Sequence, residues 1–133
     1  MSVSLRRDVV ILACAASAGI HGALTRAHFA ESAAAGAGFA ATTIVLALFA
    51  AVLTWYPYAR LPLGLAALTL GGLIASYALT VTTGLPVLHP EPEPVTGLAV
   101  VTKAIEAAGL VAASSLLPRR RAVAFRNPQP KGT

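Results

Sequence analysis

Charge is what this chain has least of. Asp, Glu, Lys and Arg make up 11% of its residues, against about a quarter in an ordinary soluble domain, so no water-facing surface of the usual kind can be built from it. A single cysteine, Cys14, excludes an internal disulfide and any cysteine cluster for metal. The single methionine excludes the Met-rich pattern of a dedicated copper carrier. There is no glycine-rich phosphate loop, no zinc-protease helix motif and no Ser-His-Asp set recognisable by spacing, which leaves no positive sign of an enzyme.

What the chain has in abundance is apolar surface: 56% hydrophobic residues and a mean hydropathy of +0.74. That composition belongs to an integral membrane protein. At about 20 apolar residues per crossing, its 133 residues allow four helices, short connections and no separate soluble domain. The formal charge of +5 does not point to nucleic acid, because the basic residues flank the apolar segments, as the positive-inside rule requires.

Taken in order, Arg6, Arg7 and Asp8 precede a first crossing over residues 9–27. A cleaved signal peptide is the rival reading, but the apolar stretch before Cys14 is shorter than the roughly 7 to 15 residues such a region needs. The second crossing, 33–56, closes on Trp55, Tyr56 and Tyr58, aromatics typical of a membrane interface. Arg60 and Pro62 mark a tight turn, and the third crossing runs over 61–83 until Gly84-Leu85-Pro86 stops it. A connection with alternating prolines, His89-Pro90-Glu91-Pro92-Glu93-Pro94, is stiff and extended. The fourth crossing, 97–117, carries Lys103 and Glu106, and a basic tail, 118–133, follows it. Small residues expected at helix contacts are Gly36 and Gly38, the Ala67–Gly71 and Gly72–Ser76 pairs, and Ala108 with Gly109.

With four crossings both termini share a side. That side collects Arg6, Arg7, Arg60, Arg119, Arg120, Arg121, Arg126 and Lys131, and the other has Arg26. The expectation is an all-α, polytopic four-helix bundle in the plasma (inner) membrane with both termini cytoplasmic. His21, His28, Glu31, His89, Glu91 and Glu93 then all belong to the extracytoplasmic half.

Two constellations could carry chemistry. Cys14, His21 and His28 are spaced by seven and share one helix face, each step rising about 10 Å. Counted from Gly97, Lys103 and Glu106 lie about 9 and 14 Å inside the fourth crossing, level with His21 and Ser17 on the first. The four make a candidate ligand or proton site, since ionisable groups inside a bilayer are costly and functional by default. The rim residues His28, Glu31, His89, Glu91 and Glu93 offer imidazole and carboxylate to a divalent metal, copper or zinc. Haem is a variant with one axial His21.

The pattern of His21, His28 and Glu31 at the first helix exit, Thr83 to Pro86, Pro92 to Val95, and Glu106 resembles small, uncharacterised four-helix bacterial membrane proteins. The resemblance groups these residues and carries no activity. Small four-helix multidrug exporters are a poorer match, because their membrane acid lies in the first helix and their pocket is aromatic-rich.

The resulting expectation is an accessory or structural subunit with a polar site facing away from the cytoplasm, in contact with lipid and with further copies of itself or a larger membrane complex. The alternatives are metal or haem binding through His21, His28 and Glu106, and a small proton-coupled transporter.

Overall fold

The computed structural model describes residues 1–85 and 91–117. It is all helix in its regular structure: α1 Val3–Glu31, α2 Ala33–Trp55, α3 Arg60–Thr82 and α4 Gly97–Leu116. Each is long and apolar enough to cross a membrane, at 29, 23, 23 and 20 residues. His89 and the basic tail lie outside the described residues.

The largest departure from the expected boundaries is α1, which begins six residues before position 9 and ends four after position 27. Polarity does not stop a helix. The Arg6–Asp8 head and the Arg26–Glu31 exit stay helical because nothing in either stretch breaks the ladder, and the stops are the two serines. Ser2 caps the start, its hydroxyl accepting from Leu5 N–H at 3.2 Å. Ser32 works both ways. Its backbone N–H donates to the His28 carbonyl at 2.9 Å and its hydroxyl accepts from Ala35 N–H at 2.9 Å. One extended residue, at φ −155° and ψ 146°, thus ends α1, caps α2 and reverses the chain.

The second reversal also differs from expectation. Arg60 and Pro62 stand in the first turn of α3, where proline's missing N–H is not needed. The turn itself is Tyr56–Ala59, closed by Ala59 N–H on the Tyr56 carbonyl at 3.1 Å. At the far end of α3, Gly84 takes φ 74°, the left-handed conformation that favours glycine just past a helix.

Short connections make neighbours in sequence antiparallel. α1 packs closely on α2 and on α4, α3 packs on α4, and α2 touches α3 only lightly. The bundle therefore has a Tyr56 end, carrying the α2–α3 turn, and a Ser32 end, carrying the α1–α2 corner and the approach to α4. Its apolar core is concentrated towards the Tyr56 end, where Val10, Cys14, Leu46, Leu53, Leu63, Ala66, Leu70 and Ala113 are buried. Leu12, Ile44, Leu48, Leu68 and Val111 point outwards, as lipid-facing residues must, and Trp55, Tyr56 and Tyr58 are exposed beside the α2–α3 turn.

Apolar burial does not by itself drive association in lipid, so close van der Waals packing between small residues carries more of the load. The tightest such contact joins α1 to α4: a Cβ built on Gly109 would lie 2.6 Å from Ala13 Cβ and 3.0 Å from Leu70 Cδ1. Gly36 backs onto the Phe29 ring. Gly38 and Gly72, also expected at helix contacts, face open space, and Ala108 is exposed. Spacing alone does not distinguish these glycines, because it does not say which face meets a neighbour.

Gly109→Val should therefore push α1 and α4 apart and destabilise the bundle by about 1 to 3 kcal/mol, read as a fall in thermal unfolding temperature in detergent. Ala13→Gly should recover part of the loss, because Ala13 Cβ is the rigid obstacle, whereas Gly72→Ala should be nearly silent.

Candidate functional site

Midway along α1 and α4 the apolar core gives way to a polar layer. Ser17 and His21 are one turn apart on α1, and Lys103 and Glu106 are three residues apart on α4. Their level positions and the antiparallel packing of α1 on α4 bring all four together. Glu106 is fully buried, Ser17 likewise, and His21 nearly so. Glu106 Oε1 accepts from the Ser17 hydroxyl at 2.8 Å, and Oε2 accepts from Lys103 Nζ at 2.6 Å. Lys103 Nζ also donates to the Leu73 carbonyl on α3 at 3.3 Å and stands 5.5 Å from the centre of the Tyr77 ring. The carboxylate and ammonium cancel within one helix, and each carboxylate oxygen has a donor, which is what a buried ion pair needs to offset its desolvation.

His21 Nδ1 lies 2.9 Å from the Ser17 carbonyl. A carbonyl only accepts, so Nδ1 carries the proton, and in the neutral ring Nε2 keeps its lone pair. No protein group among the described residues bonds Nε2. Serine, histidine and a carboxylate thus meet, yet in the wrong order for nucleophilic catalysis. The Ser17 hydroxyl gives its proton to Glu106, while the imidazole that should accept it turns Nδ1 to its own helix backbone.

Directly on the Ser32 side of this layer is a cavity of about 370 Å³, within reach of the roughly 300 to 1,000 Å³ usual for small-molecule sites. It occupies the space between the α1–α2 and α3–α4 hairpins, where α2 and α3 barely touch. Lys103 and His21 lie at its inner end, with Phe39 from α2 and Tyr77 from α3 among its walls. Leu85, Glu93 and Thr96 line it towards the Ser32 end. Most other wall residues are apolar or are threonines whose hydroxyls bond their own helix, as Thr80 and Thr102 do.

Phe39 and Tyr77 are the site residues that motif reading misses. Phe39 packs on both helix-1 histidines, its ring centre 5.1 Å from that of His21 and 3.7 Å from that of His28, the latter edge to face. A reflection of the chain about Ser32 puts position 39 level with position 25, between the two histidines, so the one-residue corner is the signal that could have found it. Tyr77 Oη is buried and bonds no group among the described residues. A lone tyrosine in an apolar helix is itself the signal, because a buried phenol ordinarily has a partner.

The expected rim set is brought together only in part. His28 Nδ1 and Glu31 Oε2 are 3.4 Å apart on the last turn of α1, His28 and Glu93 both line the cavity, Glu91 is exposed, and His89 lies outside the described residues. Among the described residues no three His, Cys, Asp or Glu side chains gather as a metal site. Cys14 is buried in the apolar core, well below the cavity.

Removing one member of the ion pair should cost more than removing both. Lys103→Met leaves the buried carboxylate with Ser17 alone and should destabilise by about 3 to 5 kcal/mol. Adding Glu106→Leu should recover a large part of that, a non-additivity readable by thermal or denaturant unfolding of the four proteins of a double-mutant cycle. No family model, curated protein or solved structure matches the chain, so its role is to be sought in the cavity and the polar layer beneath it.

Proposed function

We propose that this is a small accessory membrane protein that holds a small organic molecule in the cavity between its hairpins, open on the side away from the cytoplasm. The observation that carries this reading is that the cavity is blind. On the Tyr56 side of Glu106 the helices close over buried Val10, Cys14, Leu46, Leu70 and Ala113, and Gly109 has no room even for a methyl group against Ala13. A route across the membrane would need that half to part, whereas a binding site needs only the space already there. For that reason binding is favoured over proton-coupled passage. Among the described residues, His21 Nε2 and the third N–H of Lys103 are left over by the protein's own bonding and give the site its means of orienting a guest.

The orientation we propose has both termini in the cytoplasm of a bacterial cell, with the Tyr56 end inward. Arg6, Arg7 and Arg60 share that end, the basic tail follows α4 out of it, and Arg26 is the lone arginine towards the other. In a Cys14→Ala background, Ser32→Cys should then react with a membrane-impermeant maleimide on intact cells. Ala59→Cys should react only after permeabilisation, and the reverse pattern would invert the topology.

Binding is tested by what the purified protein retains. Gly38 lines the cavity and a Cβ there meets nothing within 4 Å, so Gly38→Phe can be accepted by the backbone and should take up part of that space. Solvent extraction and mass spectrometry should find a small molecule near one per chain in the wild type and little in Gly38→Phe. Equal amounts in both would count against a bound guest. Metal analysis and an optical spectrum on the same sample separate the rival of a metal or haem on His21, which would appear as stoichiometric metal or a Soret band lost in His21→Ala.

A further inference from the structure

The charge at the inner end of the cavity is already matched. Lys103 Nζ gives one N–H to Glu106 Oε2 at 2.6 Å and another to the Leu73 carbonyl at 3.3 Å, and Glu106 is held on its other side by Ser17. The pair presents a donor to the cavity with little net charge behind it. Among the described residues the other polar groups left to the cavity are the His21 Nε2 lone pair and the Thr42 hydroxyl, while the Tyr77 hydroxyl is buried in the wall. The walls around them are rings and aliphatic side chains, Phe39, Tyr77, Leu24 and Leu73 among them, with Glu93 towards the mouth.

We infer that the ligand of this cavity is an uncharged amphipath, a flat apolar body bearing a hydroxyl or carbonyl head, and that Glu106 imposes this selectivity by neutralising Lys103. The inference rests on the binding reading above. A hydroxyl head can donate to His21 Nε2 and accept from the third N–H of Lys103, so both groups at the inner end are used. An anionic head would lose its hydration and meet an ammonium whose charge is cancelled at 2.6 Å. A cationic head would meet that ammonium directly. Glu106 does not line the cavity and touches no ligand. It acts through Lys103, as a positioning and charge-setting residue.

The test uses three probes of one shape: 2-naphthalenemethanol, 2-naphthoate and 2-naphthylmethylammonium. Each is titrated calorimetrically at pH 7 into the full chain in a non-ionic detergent, with Gly38→Phe as the background for micelle partition. The wild type should bind the alcohol at least about tenfold more tightly than either ion, a difference of about 1.4 kcal/mol. Glu106→Gln keeps the shape and a partner for Ser17 but frees the ammonium, so it should gain naphthoate affinity about tenfold or more and prefer it to the alcohol. Lys103→Met/Glu106→Gln, with both charges gone, should return to preferring the alcohol. Naphthoate binding the wild type as tightly as the alcohol would overturn the proposal, and so would a folded Glu106→Gln protein with unchanged preference. If Glu106→Gln does not fold, the wild-type order and the double variant decide. A wild type indistinguishable from Gly38→Phe for all three probes, with no retained molecule in either, overturns the binding reading itself. A retained molecule that carries a charged head would leave that reading standing and overturn this inference alone.

Discussion

A carboxylate with no access to water fixes how this bundle goes together. Glu106 has zero exposure, and an ionised acid so placed in a membrane is tolerable only if each oxygen has a donor. One donor, Lys103, is on its own helix at the spacing that lets side chains meet. The other, the Ser17 hydroxyl, comes from a helix 89 residues away in sequence. Sliding α1 against α4 by one turn would bring Cys14 or His21 level with Glu106 instead, and rotating either helix would carry a partner out of reach. Apolar side chains facing lipid tails or each other discriminate poorly between such registers. The hydrogen-bonded layer discriminates sharply, and the close approach of Gly109 to Ala13, about one turn further along, is consistent with the same register.

From that layer the bundle divides. Towards the Tyr56 end the interior is dry and made of alanine, leucine and valine, and small side chains let the backbones come close. Towards the Ser32 end the hairpins stay apart, and the interior is a cavity with polar atoms at its inner end. The connections suit this division. A four-residue turn joins α2 to α3 at the packed end, whereas at the other end a single extended serine couples α1 to α2 and leaves the α3–α4 hairpin independent of it. Light contact between α2 and α3 is the consequence, and the cavity is the space that contact would otherwise fill.

Much of this is legible in the chain. Four apolar runs are enough to give four helices, and counting 1.5 Å per residue inward from Gly97 and Arg26 puts Lys103, Glu106, His21 and Ser17 at matching depth. The faces are less legible. A seven-residue step correctly aligns Cys14, His21 and His28 on one side of α1, yet it cannot say that Cys14 lies in the dry half while His28 borders the cavity. That distinction depends on how far the hairpins spread, which no local pattern encodes. Helix ends are less legible where the chain turns polar, since α1 runs through its arginines until Ser32 caps the next helix. Gly38 and Gly109 look alike as small residues in apolar helices. One faces a void and the other leaves no space for a methyl, a difference set entirely by the partner helix.

The hydroxyls extend the same argument to selectivity. Thr25, Thr43, Thr80 and Thr102 each return their proton to the carbonyl four residues earlier in their own helix. That is the ordinary way a membrane helix hides a threonine, and it removes those hydroxyls as donors to a guest. Ser17 is different because its proton goes across to α4. Tyr77 is different because its hydroxyl has no protein acceptor among the described residues, and His21 is different because its bonded nitrogen faces its own helix and leaves the other free. Among the described residues, His21 Nε2 and Lys103 meet at the inner end of one cavity, and the carboxylate that neutralises Lys103 sits immediately beneath them.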